Sequence, residues 1–211
     1  MNATDKTKIS RLAKRGDYTE ETIYNILDEG LICTLSYAQN NQPFSIPTGY
    51  CRIDNYLYIH GSVGSGYMRQ MAEGIPVCIS VTHIDALVLA KSVFHHSVNY
   101  RSVVAFANAE LVTDETERMN ALEAFTEKMI PGRWKESRLP NAGEMRQTMI
   151  LKFKLDEASA KLRQAPPSDD EEDLDLPYWS GLLHIKQQVV AATPDDITTE
   201  KRLPYPGYYE L

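Results

Sequence analysis

Within the first forty or so residues the apolar positions switch from helical to strand spacing. Ile23, Ile26 and Leu27 recur at the spacing of one helix face, with Thr19 as N-cap, Glu20 and Glu21 in the first turn, and Gly30 as the stop. From there the period becomes two, so that Leu31, Cys33, Leu35 and Tyr37 share one face of a strand. A polar stretch, Ala38 to Gln42, predicts a turn. Pro43 to Ile53 reads as a second strand, Asp54-Asn55 as a hairpin turn and Tyr56 to His60 as a third strand.

The next segment breaks this rhythm. Gly61-Ser62-Val63-Gly64-Ser65-Gly66 is a glycine-serine loop that runs into an amphipathic segment from Tyr67 to Glu73, closed by Gly74. Strand patterns resume at Val77 to Thr82, Ala86 to Ala90 and Arg101 to Leu111. Asp114 with Glu117 resembles a capping box for a helix carrying Met119, Leu122, Phe125 and Met129, which Pro131-Gly132 ends. A last clear strand spans Thr148 to Leu155. These short β–β connections exclude a doubly wound parallel sheet and point to a mainly β fold, an antiparallel barrel with peripheral helices.

Composition refines the organisation. Six acidic residues fall between Asp169 and Asp175, flanked by prolines, so 166–177 reads as an exposed, poorly ordered linker. The division expected is an N-terminal arm at 1–18, the barrel at 19–165, that linker, and a C-terminal extension at 178–211. The arm carries Lys8, Arg11, Lys14 and Arg15 among apolar residues and reads as a solvated, frayed terminus. A net charge of −7 argues against a nucleic-acid partner. No apolar run is long enough for a membrane span, and the first residues lack the apolar core of a secretory signal. Cys33, Cys51 and Cys78 are dispersed and match no metal-site spacing, which reads as buried thiols in a reducing compartment, the cytoplasm by default.

Chemistry concentrates at the glycine-serine loop. A strand, a Gly-Ser loop and a helix in succession bring backbone N–H groups together at a helix start, where an anion is stabilised, and Ser62 and Ser65 add hydroxyl donors. The loop lacks the lysine of a nucleoside-triphosphate loop and follows hairpin strands, so the phosphate of a cofactor suits it better. Arg101 interrupts an apolar strand and needs an anionic or carbonyl partner. His60 stands just before the loop, and of the adjacent His95 and His96 at most one faces a given site. No Ser/His/Asp arrangement or carboxylate pair stands out, and no catalytic residue is assigned.

Five segments in this order resemble a known family: Ile46-Pro47-Thr48-Gly49-Tyr50; Tyr58-Ile59-His60-Gly61-Ser62 with Gly64 and Gly66; Val77 to Thr82; Asn99-Tyr100-Arg101-Ser102-Val103-Val104; and Tyr178-Trp179-Ser180-Gly181. They look like the flavin-nucleotide-binding, nitroimidazole-resistance-type branch of the pyridoxamine 5′-phosphate oxidase-like superfamily. The resemblance runs from about Arg11 to about Ile185. It implies a six-stranded antiparallel split β-barrel forming a homodimer, with FMN in the interface grooves. It also implies that Pro47, Thr48, Gly49 and Tyr50 line the isoalloxazine ring and that His60, Gly61, Ser62, Ser65 and Gly66 surround the phosphate. Arg101 and Ser102 would complete the anion site, and Trp179 would cap the flavin, from the partner subunit in one version.

Three functions are consistent with this. The first is an FMN-dependent oxidoreductase that reduces a small nitroaromatic- or quinone-like electrophile with NAD(P)H. The second is a flavin carrier or redox sensor without turnover. The third is a haem-binding relative of the same barrel, with His60, His95 or His96 as axial ligand.

Overall fold

The computed structural model describes residues 1 and 3–210. A two-residue strand, Gly16–Asp17 (β1), precedes the first helix, Glu20–Glu29 (α1). The Thr19 hydroxyl caps α1 by accepting from the Thr22 amide. Ile23, Ile26 and Leu27 form the buried face, each side chain contributing roughly 1.5–3 kcal/mol of apolar burial. Strands Ile32–Gln39 (β2), Gln42–Gly49 (β3), Cys51–Ile53 (β4) and Tyr56–Ser62 (β5) follow, then a short helix, Gly66–Ala72 (α2).

The two strands expected at Val77 to Thr82 and Ala86 to Ala90 are one, Pro76–Leu89 (β6), with a register shift between Ile84 and Ala86. One extra residue, Asp85, bends the strand without ending it. Strand Ser97–Leu111 (β7) leads to helix Glu115–Met129 (α3), and helix Ala142–Gln147 (α4) leads to strand Thr148–Lys154 (β8). Strand Glu157–Arg163 (β9) escapes the sequence pattern because its buried positions include Ala158, Ser159 and Ala160, side chains too small to announce a core face. Strand Gly181–His184 (β10) and helix Asp196–Glu200 (α5) complete the set.

All pairings are antiparallel, in the order β3-β2-β6-β7-β8-β5-β4, with β9 joined to β7 and β1, and β10 joined to β6. The fifteen-residue β7 is the spine. It pairs with β9 through Tyr100–Phe106 and then passes to β8 through Ala109–Leu111. One long strand therefore serves two half-sheets, and the sheet does not close, which is the split-barrel arrangement. The main core gathers Leu35, Tyr50, Ile79, Met68 and Phe153 between the half-sheets, while α3 covers a second cluster around Cys51, Tyr58 and Ile150.

Described residues near both termini contact the frame. The Met1 amino group donates to the Tyr18 carbonyl at 2.6 Å, and Lys6 pairs with Glu157 at 2.7 Å. Asp169 in the acidic segment accepts from the amides of Lys91 and Ser92, while the Lys91 ammonium donates to the Leu176 and Tyr178 carbonyls. The tail is anchored where the Tyr209 hydroxyl donates to the Met129 carbonyl.

The C-terminal end of α1 collects side-chain donors from three other parts of the chain. The Tyr50 hydroxyl and the Lys128 ammonium both donate to the Leu27 carbonyl, at 2.5 and 2.8 Å, and the Nε2 of His83 reaches the Ile26 carbonyl at 3.0 Å. Gly30 follows with an ordinary extended φ of −75°, not the left-handed value a helix-stopping glycine usually takes. Its role is room: a Cβ there would meet the Tyr50 hydroxyl at 2.7 Å.

Burial lowers the Lys128 ammonium to about 8, against an ordinary 10.5, with Asp28, Cys51 and Cys33 opposing the fall and Arg52 adding to it. Between those two values the unfolded chain binds more protons than the folded one, so the Lys128 contribution to stability increases as pH rises from about 8 to 10.5. Denaturant titrations across that window are expected to show a flatter pH dependence for Lys128→Met than for the parent chain. Superimposable pH profiles would contradict the assignment.

Candidate functional site

The glycine-serine loop leaves the end of β5 at the protein surface, with Ser62, Gly64 and Gly66 exposed and Ser65 half-buried. The Ser62 hydroxyl accepts from the Gly64 amide at 3.1 Å, its carbonyl accepts from the Ser65 amide, and Ser65 is the N-cap of α2 with no side-chain cap bond. The amides of Gly66, Tyr67 and Met68 have no acceptor among the described residues. Three backbone donors and two hydroxyls at one loop form a donor set suited to a phosphate. The first basic residue after the loop is Arg69, on α2 and exposed.

The strand segment expected to line a ring splits into two environments. Pro47 is exposed and Thr48 half-buried, on the edge strand of the sheet. Tyr50, by contrast, is fully buried, and its hydroxyl is committed to Leu27. Gly49 lies beneath α3: a Cβ there would meet the Phe125 ring at 2.9 Å. The same ring meets His60 edge to face at 4.4 Å. Burial pushes the His60 imidazole below its usual range, which keeps the ring neutral near pH 7. Gly61 packs on the buried Met68. The structure thus brings His60 and Gly49 together, under Phe125, a residue the sequence marked only as part of a helix face.

Arg101 and Ser102 sit elsewhere in the chain. The eight residue steps from Arg101 to Ala109, the first β7 residue paired with β8, span roughly 25 Å of strand. Arg101 lies between two carboxylates, with Nη2 donating to Asp85 at 2.8 Å and to Glu29 at 2.9 Å. These two partners hold the guanidinium well above its ordinary range. Ser102 donates to the Lys161 carbonyl. Asp85 was not legible as the partner of Arg101, and only the strand irregularity beside it marks the position.

A third environment surrounds the Ser92–His96 turn. Val93 and Phe94 are 87% and 88% exposed, which is exceptional for side chains of this kind. The His95 Nε2 pairs with Asp170 at 3.1 Å. The His96 ring is exposed, and its Nδ1 donates to the Ser92 carbonyl at 3.0 Å, so its Nε2 is the ring acceptor. Tyr178 and Trp179 are exposed, and the Trp179 ring lies over Gly181 on β10. Among the described residues no group of three or more His, Cys, Asp or Glu is placed to hold a metal ion, and no helix is long and apolar enough to cross a membrane.

A family model for pyridoxamine 5′-phosphate oxidase matches residues 19–162. The chain is similar over nearly its whole length to the flavocytochrome Anf3 of Azotobacter vinelandii, with 33% identity, 97% of this chain and 95% of that one covered, and a TM-score of 0.88. It is similar in the same way to an FAD- and haem-binding protein of Mycobacterium smegmatis, with 31% identity, 92% and 95% covered, and a TM-score of 0.85. A candidate 5-nitroimidazole antibiotic resistance protein of Bacteroides thetaiotaomicron shares the fold, with 16% identity, 69% and 85% covered, and a TM-score of 0.58. No curated protein matches the chain.

The Phe125 contact gives a local test. Gly49→Ala forces the new methyl against the ring and is expected to destabilise the fold by about 1–3 kcal/mol, read by chemical denaturation. Adding Phe125→Leu should restore most of that loss, and strictly additive losses would show that the two side chains do not compete for space.

Proposed function

The chain belongs to the pyridoxamine 5′-phosphate oxidase family, and on that premise we propose that it is a cytoplasmic, homodimeric, flavin-dependent oxidoreductase binding FMN. The observation that supports this most is the likeness, over more than nine-tenths of the chain, to two solved proteins named for flavin binding or as a flavocytochrome. The Ser62 and Ser65 hydroxyls and the free amides of Gly66, Tyr67 and Met68 hold the phosphate in this reading. Pro47 and Thr48 present the edge of β3 to the ring, and a second copy on that open edge closes the slot. His60 stays neutral beneath Phe125 and supports the loop from behind rather than exchanging protons. When bound, the flavin supplies the electron transfer between a nicotinamide donor and a small nitroaromatic- or quinone-like electrophile.

A haem in addition to the flavin is favoured by one further observation. The His96 Nδ1 is tied to a backbone carbonyl, which leaves Nε2 as a lone-pair donor in the manner of a metal-ligating imidazole. The bare apolar surface of Val93 and Phe94 beside it offers the packing a porphyrin needs. His95 and His60 are less suited, one held by Asp170 and the other covered by Phe125. Of the two relatives similar over nearly the whole chain, one is named a flavocytochrome and the other an FAD- and haem-binding protein.

The absorbance spectrum of the purified protein, before and after incubation with FMN and desalting, is expected to show retained flavin bands near one per subunit. NAD(P)H oxidation with a quinone or nitroaromatic acceptor separates turnover from a carrier or sensor role. Protein that retains no flavin, or that retains it and consumes no NAD(P)H, would overturn the oxidoreductase reading.

The haem assignment has its own readout. Protein reconstituted with haem is expected to show a Soret band that His96→Ala abolishes while the flavin bands persist. A Soret band unchanged in His96→Ala and lost in His60→Ala would move the ligand to β5.

A further inference from the structure

Two surfaces of opposite charge flank the same end of the sheet, and neither is answered within the chain. The first is the N-terminal arm. Lys8, Arg11 and Lys14 are exposed there and enter no ion pair among the described residues. The arm is pinned on both sides of these cations, by Lys6 on Glu157 and by the pairing of Gly16 with Lys161. Residues 10–14 stand out between the two pins, every one of them exposed. At their centre is Leu12, 42% exposed and held at a left-handed φ of 57°, which leucine adopts only at a cost.

The second surface combines apolar side chains with acids. Leu174, Tyr178 and Trp179 are 55%, 61% and 62% exposed. Their backbone is fixed, because the Lys91 ammonium donates to the Leu176 and Tyr178 carbonyls while Asp169 accepts from the Lys91 and Ser92 amides. Tyrosine and tryptophan on a fixed backbone are the side chains that most often anchor a contact between proteins. Around them Glu171, Glu172 and Asp175 are exposed, and they too enter no ion pair among the described residues.

Strand β9 sets the two surfaces side by side. The arm joins the frame at β1, which pairs with β9, and the acidic segment follows Arg163, whose guanidinium holds the Ala165 and Pro166 carbonyls at the end of β9. Adjacent patches of opposite charge are complementary to themselves across a twofold axis, since each positive patch meets the negative patch of the other copy. Two chains of net charge −7 repel one another at long range, so a contact that places cations against acids is the kind that lets them associate.

We propose that a second copy of this chain docks here, its Lys8–Lys14 arm lying on the acidic segment of the first with Leu12 against Tyr178 and Trp179, and that the same contact repeats across the twofold axis. The proposal rests on the homodimer reading and gives it a contact besides the β3 edge.

Charge reversal tests it. One chain carries Lys8→Glu, Arg11→Glu and Lys14→Glu, and the other Glu171→Lys, Glu172→Lys and Asp175→Lys. All six residues are exposed and unpaired, so neither set is expected to shift the melting temperature. Each reversed chain alone should dimerise at least about tenfold more weakly than the parent in a sedimentation dilution series, and added salt should weaken the parent dimer more than either. Co-expressed, the two chains should form heterodimers well beyond the statistical half of the dimers counted by native mass spectrometry, because both contacts in the mixed pair are attractive. A statistical mixture with undiminished dimers would overturn the proposed contact and leave the homodimer reading standing, whereas a monomeric parent chain would overturn both. A statistical mixture in which the parent, but not the arm-reversed chain, sediments with phosphatidylserine vesicles would overturn it in favour of a membrane surface as the arm's partner.

Discussion

The final carbonyls of a helix must find donors, and in this fold the donors for α1 arrive from distant parts of the chain. Tyr50 comes from the β3–β4 junction, Lys128 from α3 and His83 from β6. Asp28 and Glu29, the last acidic residues of α1, receive Arg52 from β4 and Arg101 from β7. A buried carbonyl left without a donor costs roughly 1–3 kcal/mol, so each of these contacts also fixes the element that supplies it. One helix end therefore sets the position of three strands and of the long helix across the second core. Gly30 belongs to the same constraint, since any side chain there would occupy the space of the Tyr50 hydroxyl.

That constraint shapes the surface around β3. Because Tyr50 is held inward, the chain passes from exposed Pro47 to fully buried Tyr50 within three residues. Because Lys128 is held against Leu27, α3 lies across Gly49 and His60, and Phe125 fills the space between them. What remains open is the β3 edge and the loop from Ser62 to Gly66. A flat ligand bound as proposed would meet this subunit on an edge rather than in an enclosed cavity, which is the geometry a second copy would complete.

The sequence was legible where side chains are large and the period is clean. The Thr19 cap, the buried face of α1, the β2–β3 and β4–β5 hairpins and the Asp114 cap of α3 follow from local chemistry. The single strand expected from Pro43 to Ile53 is two, β3 and β4, because the chain turns inward at the buried Tyr50. It was opaque where burial uses small residues, as in β9, and where a bulge let one strand run on, as in β6 at Asp85. The capping-box reading of Glu117 was half correct. Asp114 accepts from its amide, but the Glu117 carboxylate turns away to Tyr58 and Lys152, because two donors from the sheet are stronger partners than one amide of its own turn. The basic arm and the acidic segment each make a few hydrogen bonds to the frame, with Tyr18 on one side and Lys91 on the other.

Arginine shows most clearly what pattern alone leaves open. Arg101 and Arg163 both sit in strands of the same half-sheet, and both have backgrounds of apolar and small neighbours. From sequence Arg101 was the one marked for an anion, because it breaks an apolar run. In the fold its charge is answered twice, by Asp85 and Glu29, which leaves it little reason to seek a phosphate. Arg163 attracted no notice, since β9 itself was invisible, yet it is the arginine that reaches the interior with only carbonyl oxygens around it. Hydrogen bonds to neutral groups satisfy its geometry without neutralising its charge, and Arg15 beside it adds a second positive charge to the same point. Whether a strand arginine serves the frame or a ligand is decided by the carboxylates within reach, and those are set by the fold as a whole.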